Sequence, residues 1–270
     1  MSTDGTSIAY RKFGDGPGLV LVHGGMMSGQ NFTNLATALS AQFTVYVPDR
    51  RGRGRSGPMG DYSLGKEVDD LAAVLEATGV RNVFGLSSGA VICLRAALDL
   101  PSIGRLALYE PPLSVGNSYS QDWVRRYDDE VARDKLGAAM VTVVKGTGDR
   151  LGVLPRFILV PLMTLAVKAD AKATDDAGVS LRDLIPTMHY DAQAVTEAAG
   201  LLDACTRLAI PVLLIGGSKS PAYLKTALTA LADLLPNACR VEITGVDHAA
   251  ADNGGKPELV AQRLGEFFHG

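Results

Sequence analysis

The chain has 270 residues, enough for one large domain or for a core with an insertion, and with 47% hydrophobic and 20% charged residues it has the composition of an ordinary folded globular protein. A formal charge of −3 lacks the basic excess of a nucleic-acid-binding protein, and a polyanionic partner is not expected. Cys93, Cys205 and Cys239 are too scattered for a disulfide framework or a zinc cluster and fit a reducing compartment.

The N-terminus is polar from Ser2 onward, with no apolar signal core. The most apolar stretch, Phe157 to Val167, contains Pro161 and is too short for a bilayer, which needs about 20 residues. A soluble, cytoplasmic protein with no membrane span is expected, and its oligomeric state is left open.

Taken in chain order, the pattern alternates strand and helix. Ser7 to Phe13 alternates and then meets the turn Gly14-Asp-Gly-Pro-Gly18, which predicts a strand. Leu19 to Val22 and Phe43 to Val47 are continuous apolar runs of the kind buried on both faces of a sheet. Leu64, Val68, Leu71 and Leu75 fall at helical spacing, with Ser63 as the N-cap and Gly79 just past the end. Asn82 to Phe84 predicts another buried strand, and Ala90, Cys93, Leu94, Ala97 and Leu98 predict an amphipathic helix directly after it.

Leu106 to Tyr109, Val212 to Ile215 and Cys239 to Ile243 complete the strands, and Val260, Leu264, Phe267 and Phe268 give the closing helix its buried face. Alternation of this kind predicts an α/β fold, a mostly parallel, doubly wound sheet. From residue 111 to 199 the rhythm breaks into helical patterns with no strand. The expected organisation is a core of residues 1–110 and 200–270 with a helical cap, or lid, over the C-terminal edge of the sheet, where ligands bind in open α/β folds.

The chemistry is carried by Gly85-Leu-Ser87-Ser88-Gly89, a Gly-x-Ser-x-Gly set between a buried strand and a helix. A nucleophile on such a turn adopts a strained backbone, and larger side chains two positions either side would collide. The helix that follows points its positive end at negative charge developing during acyl transfer. Ser87 is therefore the expected nucleophile, and its neighbour Ser88 is expected to serve only through its backbone N–H.

The chain resembles the α/β-hydrolase family, in particular its serine hydrolases and esterases with a helical cap. The resemblance rests on His23-Gly24-Gly25 after one strand, Asp49-Arg-Arg-Gly-Arg-Gly-Arg-Ser56 after the next, the Gly85–Gly89 elbow, and Gly245-Val-Asp-His248 after the last strand. It implies that His248 is the general base and that His23 braces the oxyanion loop. The oxyanion donors implied are the N–H groups of Ser88 and Gly25, with Met26 next. His189 and His269 have no motif around them and default to structure or solvent.

The acid departs from the common pattern. Many family members carry Asp in the loop after the strand matching Val212 to Ile215, but here that loop is Gly216-Gly-Ser-Lys-Ser220-Pro221, with Ser220 near the place of the Asp. Glu110, at the end of the strand Leu106 to Tyr109, is the preferred acid, since haloalkane dehalogenases among the relatives place theirs at that strand end. The alternatives are Ser220 or a water orienting His248, and the weaker Asp252. Asp247 adjoins His248, and its side chain is expected to point elsewhere.

The arginines at 50, 51, 53 and 55, interleaved with glycine, read as a solvated loop rather than a phosphate site. Phe157 to Val167 is expected to pack cap against core, with lining of a hydrophobic substrate pocket as the second reading. Trp123, Tyr119 and Tyr127 are candidates to shape that pocket. No metal or cofactor is implied.

The expected function is hydrolysis of an ester or lactone of a small to medium hydrophobic substrate through an acyl-enzyme, with a rate that rises as His248 loses its proton. A C–C bond hydrolase, a perhydrolase or an acyl-transferring tailoring enzyme would use the same triad, and a weakly catalytic ligand receptor would keep the fold. Serine at position 87 excludes an Asp-nucleophile epoxide hydrolase or dehalogenase.

Overall fold

The computed structural model describes residues 1–174 and 178–269; Asp175 to Ala177, within the expected cap, and Gly270 lie outside the described residues. Seven strands form one sheet: β1 (Tyr10–Phe13), β2 (Gly18–Val22), β3 (Thr44–Pro48), β4 (Asn82–Leu86), β5 (Arg105–Tyr109), β6 (Val212–Gly217) and β7 (Ala238–Ile243). Their spatial order is β1-β3-β2-β4-β5-β6-β7. All neighbouring pairs are parallel except β1 with β3, where Tyr10 lies opposite Pro48 in antiparallel register.

Strand periodicity divides the core between the two faces of the sheet. Val20, Val22, Val83, Leu106, Leu108, Val212 and Leu214 face one side, covered by α2 (Leu64–Thr78), α3 (Ser88–Asp99) and α10 (Ala222–Leu234). Leu19, Leu21, Phe84, Leu86, Ala107, Tyr109, Leu213 and Ile215 face the other, covered by α1 (Thr33–Leu39) and α11 (Pro257–His269). Continuous apolar runs are thus the mark of strands with helices on both sides. The ends of α2 follow its capping residues: Ser63 Oγ accepts the Lys66 N–H at 3.2 Å, and Gly79 closes the helix at φ 70°.

Between β5 and β6 the described residues hold helices and no strand: α4 (Val124–Ala132), α5 (Leu136–Gly146), α6 (Arg156–Ala173), α7 (Leu181–Leu184), α8 (Met188–Glu197) and α9 (Leu201–Ala204). This insertion has a small core of its own, built on Tyr127, Leu136, Ala139, Val143, Val167 and Ile185. Two expectations are corrected here. The Phe157 to Val167 stretch winds about three times round α6, and only Leu159 and Val167 are buried, Val167 in the insertion's own core; Phe157 is 78% and Leu165 66% exposed, so the stretch packs the insertion on neither the sheet core nor a pocket. α6 instead leans on α5 and α7 and leaves its apolar outer face uncovered. The arginine turn is not solvated: Arg50, Arg51 and Arg53 are buried and only Arg55 is exposed. Apolar content does not say which face of a helix is covered, and charge does not say that a turn is wet when partners lie far along the chain.

Candidate active site

The C-terminal ends of the parallel strands converge on one cavity. Ser87 follows β4 directly, at φ 56° and ψ −124°, a backbone conformation costing about 1–3 kcal/mol in a non-glycine residue. Its N–H is anchored on the Tyr109 carbonyl at 2.9 Å. The flanking glycines are required by close approach: a Cβ on Gly85 would lie 2.6 Å from the Ala90 Cα, and one on Gly89 2.4 Å from the His23 carbonyl. The elbow therefore holds Ser87 proud of the sheet at the start of α3.

Glu110, the residue after β5, also has a positive φ, 48°, and is completely buried. One carboxylate oxygen accepts the Gly217 N–H at 2.7 Å and the other accepts His248 Nδ1–H at 2.7 Å. With Nδ1 donating, Nε2 of His248 is left as the basic nitrogen. Gly216 makes room for this carboxyl, since a Cβ there would stand 3.1 Å from Glu110 Oε1. The loop that commonly supplies an aspartate is thus shaped around a carboxylate arriving from the next strand. Ser220 Oγ is buried without a hydrogen-bond partner among the described residues and does not reach His248. Asp247 turns back to accept the Ala249 N–H, and Asp252 accepts from Asn31 and Gly254.

Ser87 and His248 face the same cavity, which has a volume of about 200 Å³. Gly25, Met26 and Ser88 line it too, so of the expected site residues only Glu110 stands behind it, against His248. No hydrogen bond joins Ser87 Oγ to His248 among the described residues; contacts of this kind often close only around substrate. Much of the wall comes from the insertion: Tyr119, Val143 and Val144, and on α8 Met188, Ala192 and Val195. Tyr119 stacks on Tyr223 with ring centroids 4.7 Å apart, whereas Trp123 and Tyr127 pack inside the insertion. A second cleft of about 380 Å³ meets the cavity at His248, Tyr223, Thr147 and Asp149.

Beneath the loop after β2 lies a buried ionic cluster for which the sequence reading gave no site role. Arg50 pairs with Glu67 at 2.6 Å and with Asp191 at 2.7 Å, and Arg53 pairs with Asp191 at 2.9 Å. Burial opposes the charged form of Asp191, yet the guanidinium groups of Arg53 and Arg50 outweigh it and hold the carboxyl well below the usual carboxylate range. Ser88 Oγ donates to Asp191 at 2.8 Å. His23 is fully buried, and that burial, together with the charges of Arg53 and Arg50, keeps its ring neutral, well below the usual 6.5. Its Nδ1 donates to the Gly24 carbonyl at 3.1 Å while Nε2 accepts the Arg50 N–H at 3.2 Å, a brace on the oxyanion loop. His189 bonds Asp128 and His269 bonds Gln42, both exposed and away from the cavity.

A signal for the cluster was present in the sequence. Arg50 and Arg53 occupy the variable positions of the Asp-x-Arg-Gly-x-Gly-x-Ser turn, directly after a buried strand. Asp191 sits three residues after Met188 on the inward face of α8, where an apolar residue is the default. Among the described residues no cluster of side chains suited to a metal ion is found, and no helix is long and apolar enough to cross a membrane.

Residues 17–254 match the family described as alpha/beta hydrolase fold. The chain is 28% identical over 243 residues, 87% of each protein, to a pimeloyl-[acyl-carrier protein] methyl ester esterase of Stenotrophomonas maltophilia (strain K279a). It is also 28% identical over 249 residues to the magnesium-chelatase 30 kDa subunit of Rhodobacter capsulatus, covering 88% of this chain and 84% of that one. An alpha/beta hydrolase from Sphaerobacter thermophilus DSM 20745 superposes with a TM-score of 0.80 at 33% identity, over 99% of this chain and 98% of that chain. The enol-lactonase from Burkholderia xenovorans LB400, with a TM-score of 0.72 at 20% identity and the same coverage of both chains, shares the fold. The chain belongs to the α/β-hydrolase family and is a hydrolase of that fold.

Proposed function

We propose that the protein hydrolyses an ester or lactone of a small hydrophobic substrate through an acyl-enzyme on Ser87. The observation that carries this reading is the Glu110–His248 hydrogen bond of 2.7 Å, made behind a cavity that His248 shares with a serine on a strained strand-to-helix turn. His248 Nε2 takes the proton of Ser87 Oγ as the oxygen attacks the carbonyl, and Glu110 holds the imidazole and stabilises its charge. The N–H groups of Ser88 and Gly25 receive the oxyanion. Neither has an acceptor among the described residues, whereas the Met26 N–H faces Asp191 at 3.4 Å and is the lesser candidate.

The tetrahedral intermediate collapses as His248 returns the proton to the leaving oxygen, which departs. Water entering beside His248 from the adjoining cleft then gives a proton to His248 and resolves the acyl group. The cavity's volume, about 200 Å³, and its apolar wall favour the small end of the expected substrate range. The esterase activity in the name of the Stenotrophomonas relative supports an ester as substrate, and the enol-lactonase neighbour, at 20% identity, shares only the fold. Residues 111–199 act in this reading as a cap that supplies much of the cavity wall.

The test is fluorophosphonate labelling followed by intact mass, on wild type and on Ser87→Ala. A single adduct on wild type and none on the variant is expected. A folded wild type that stays unmodified would remove the acyl-enzyme reading and favour a receptor that binds without turnover.

A further inference from the structure

The oxyanion loop is held from below by charge. Arg53, completely buried, donates Nη1 to the carbonyls of Gly24 at 3.0 Å and Met27 at 3.2 Å, and Nη2 to Asp191 at 2.9 Å. In a trans peptide the C=O and the following N–H point in opposite directions. Drawing the Gly24 carbonyl down onto Arg53 therefore turns the Gly25 N–H away from the ionic cluster, on the side where Gly25 lines the cavity. The Met26 N–H, by contrast, faces Asp191.

Asp191 does not belong to the core. It comes from α8 of the insertion, and its carboxylate reaches both segments that carry the proposed donors: Ser88 through Oγ at 2.8 Å and the loop through the Met26 N–H at 3.4 Å. Alone, a carboxylate at that place would oppose an oxyanion. Here the guanidinium groups of Arg50 and Arg53 face the carboxylates of Glu67 and Asp191, and the cluster is formally neutral.

We propose that Arg53 and Asp191 are positioning residues for the oxyanion hole. Arg53, sharing the Gly24 carbonyl with His23 Nδ1, fixes the peptide plane that aims the Gly25 N–H. Asp191 balances the arginine pair and seats Ser88 and Met26, so the hole is complete only when α8 is docked on the core. Docking of the insertion and formation of the hole are then one event. The inference rests on the acyl-enzyme reading given above.

The experiment compares Arg53→Met, Arg53→Lys and the charge-balanced double variant Arg53→Met with Asp191→Leu, using an aryl ester of a short acid. Each is normalised to competent Ser87 by fluorophosphonate titration, so that misfolded protein is not counted. Removing one oxyanion donor outright costs about 10²–10³ in kcat, and a misaimed donor is expected to cost about 10- to 100-fold with KM within about threefold. The double variant leaves no unpaired buried charge and so tolerates the change best, yet it leaves the Gly24 carbonyl to His23 Nδ1 and a long 3.5 Å contact from Arg50, without the Arg53 bond, and is expected to be equally slow. Arg53→Lys, with one donor group in place of the fork, is expected to fall between.

A merely structural role is separated by an alkyl boronic acid, whose tetrahedral adduct on Ser87 uses the same donors. Its affinity is expected to fall in parallel with kcat/KM across the series. Wild-type kcat in the double variant, or a fall in kcat with unchanged boronate affinity, would overturn the proposal while leaving the acyl-enzyme intact. A wild type that neither labels nor hydrolyses would overturn the acyl-enzyme reading and this inference with it.

Discussion

Two systems of buried carboxylates bonded to basic side chains flank Ser87, and they are built to opposite ends. The Glu110–His248 pair has one closed side and one open: the carboxylate is fully buried, but the imidazole is 35% exposed and faces the cavity. The Arg50–Arg53–Asp191–Glu67 cluster is closed to solvent, with no member more than 3% exposed, and meets the cavity only at Asp191 among the described residues. In both a carboxylate accepts N–H groups, and the difference lies in the donor. Imidazole can gain and lose a proton near neutral pH, whereas guanidinium cannot. The open pair suits the carrying of a proton, and the closed cluster suits the holding of a frame. Oriented charge beside a nucleophile can therefore serve motion or rigidity, and the titratability of the partner decides which.

Breaking the open pair should cost rate. Glu110→Gln keeps the shape and an acceptor for the Gly217 N–H but removes the charge that steadies imidazolium, and kcat is expected to fall by about 10³–10⁴. Ser220→Ala, at a serine whose hydroxyl bonds nothing among the described residues, is expected to stay within about twofold on the same ester assay. A large loss only in the serine variant would transfer the orienting role to Ser220.

Breaking the closed cluster should instead cost stability. Glu67→Gln leaves Arg50 with half its counter-charge in a buried place, and denaturant melts are expected to show a loss of about 3–5 kcal/mol. An unchanged midpoint would mean that the cluster holds little.

The neutral ring of His23 sharpens the contrast through pH. Its folded pKa is depressed by burial and by the adjoining arginines, while the unfolded chain protonates at the usual 6.5. The unfolded state therefore binds the extra proton below that value, and stability present above it is lost as the pH falls toward the folded pKa. The expected slope from this one group approaches about 1.4 kcal/mol per pH unit between pH 6 and 5. His23→Asn should remove that component from melts taken across the range, and an unaltered slope would mean that the ring takes up its proton in the folded protein.

The same contrast governs what could be read beforehand. Leu19 to Val22 and Val212 to Ile215 announced buried strands because a strand covered on both faces needs apolar residues without interruption. Ser63 and Gly79 announced the ends of α2, and Gly85 and Gly89 the elbow, because each answers a local backbone need. Placing Glu110 beside His248 took more, since they are 138 residues apart; the lack of a carboxylate in the Gly216–Pro221 loop pointed away from the common place, and the position of Glu110 at a strand end, where some relatives carry their acid, pointed to it. The Arg50–Asp191 pair spans 141 residues and joins core to insertion, and the local signals at its two ends do not say that the ends meet. The arginine turn accordingly looked wet. Motifs report backbone geometry well and long-range charge pairing poorly.

The outer face of α6 supplies the smallest expected effect and the opposite kind of error. Its apolar run suggested contact with the core or with substrate, yet Leu162 is 53% and Leu165 66% exposed and neither lines the cavity. A side chain left in water stabilises little, because burial and not hydrophobicity supplies the free energy. Leu162→Ser and Leu165→Ser should each change stability by no more than about 0.5 kcal/mol and leave kcat/KM on the aryl ester within about twofold. The paired control is Leu159→Ser, one turn away and 1% exposed, which places a hydroxyl among apolar neighbours and should cost about 2–5 kcal/mol. Equal losses at 159 and 165 would mean that in solution the outer face of α6 is covered as fully as the inner one.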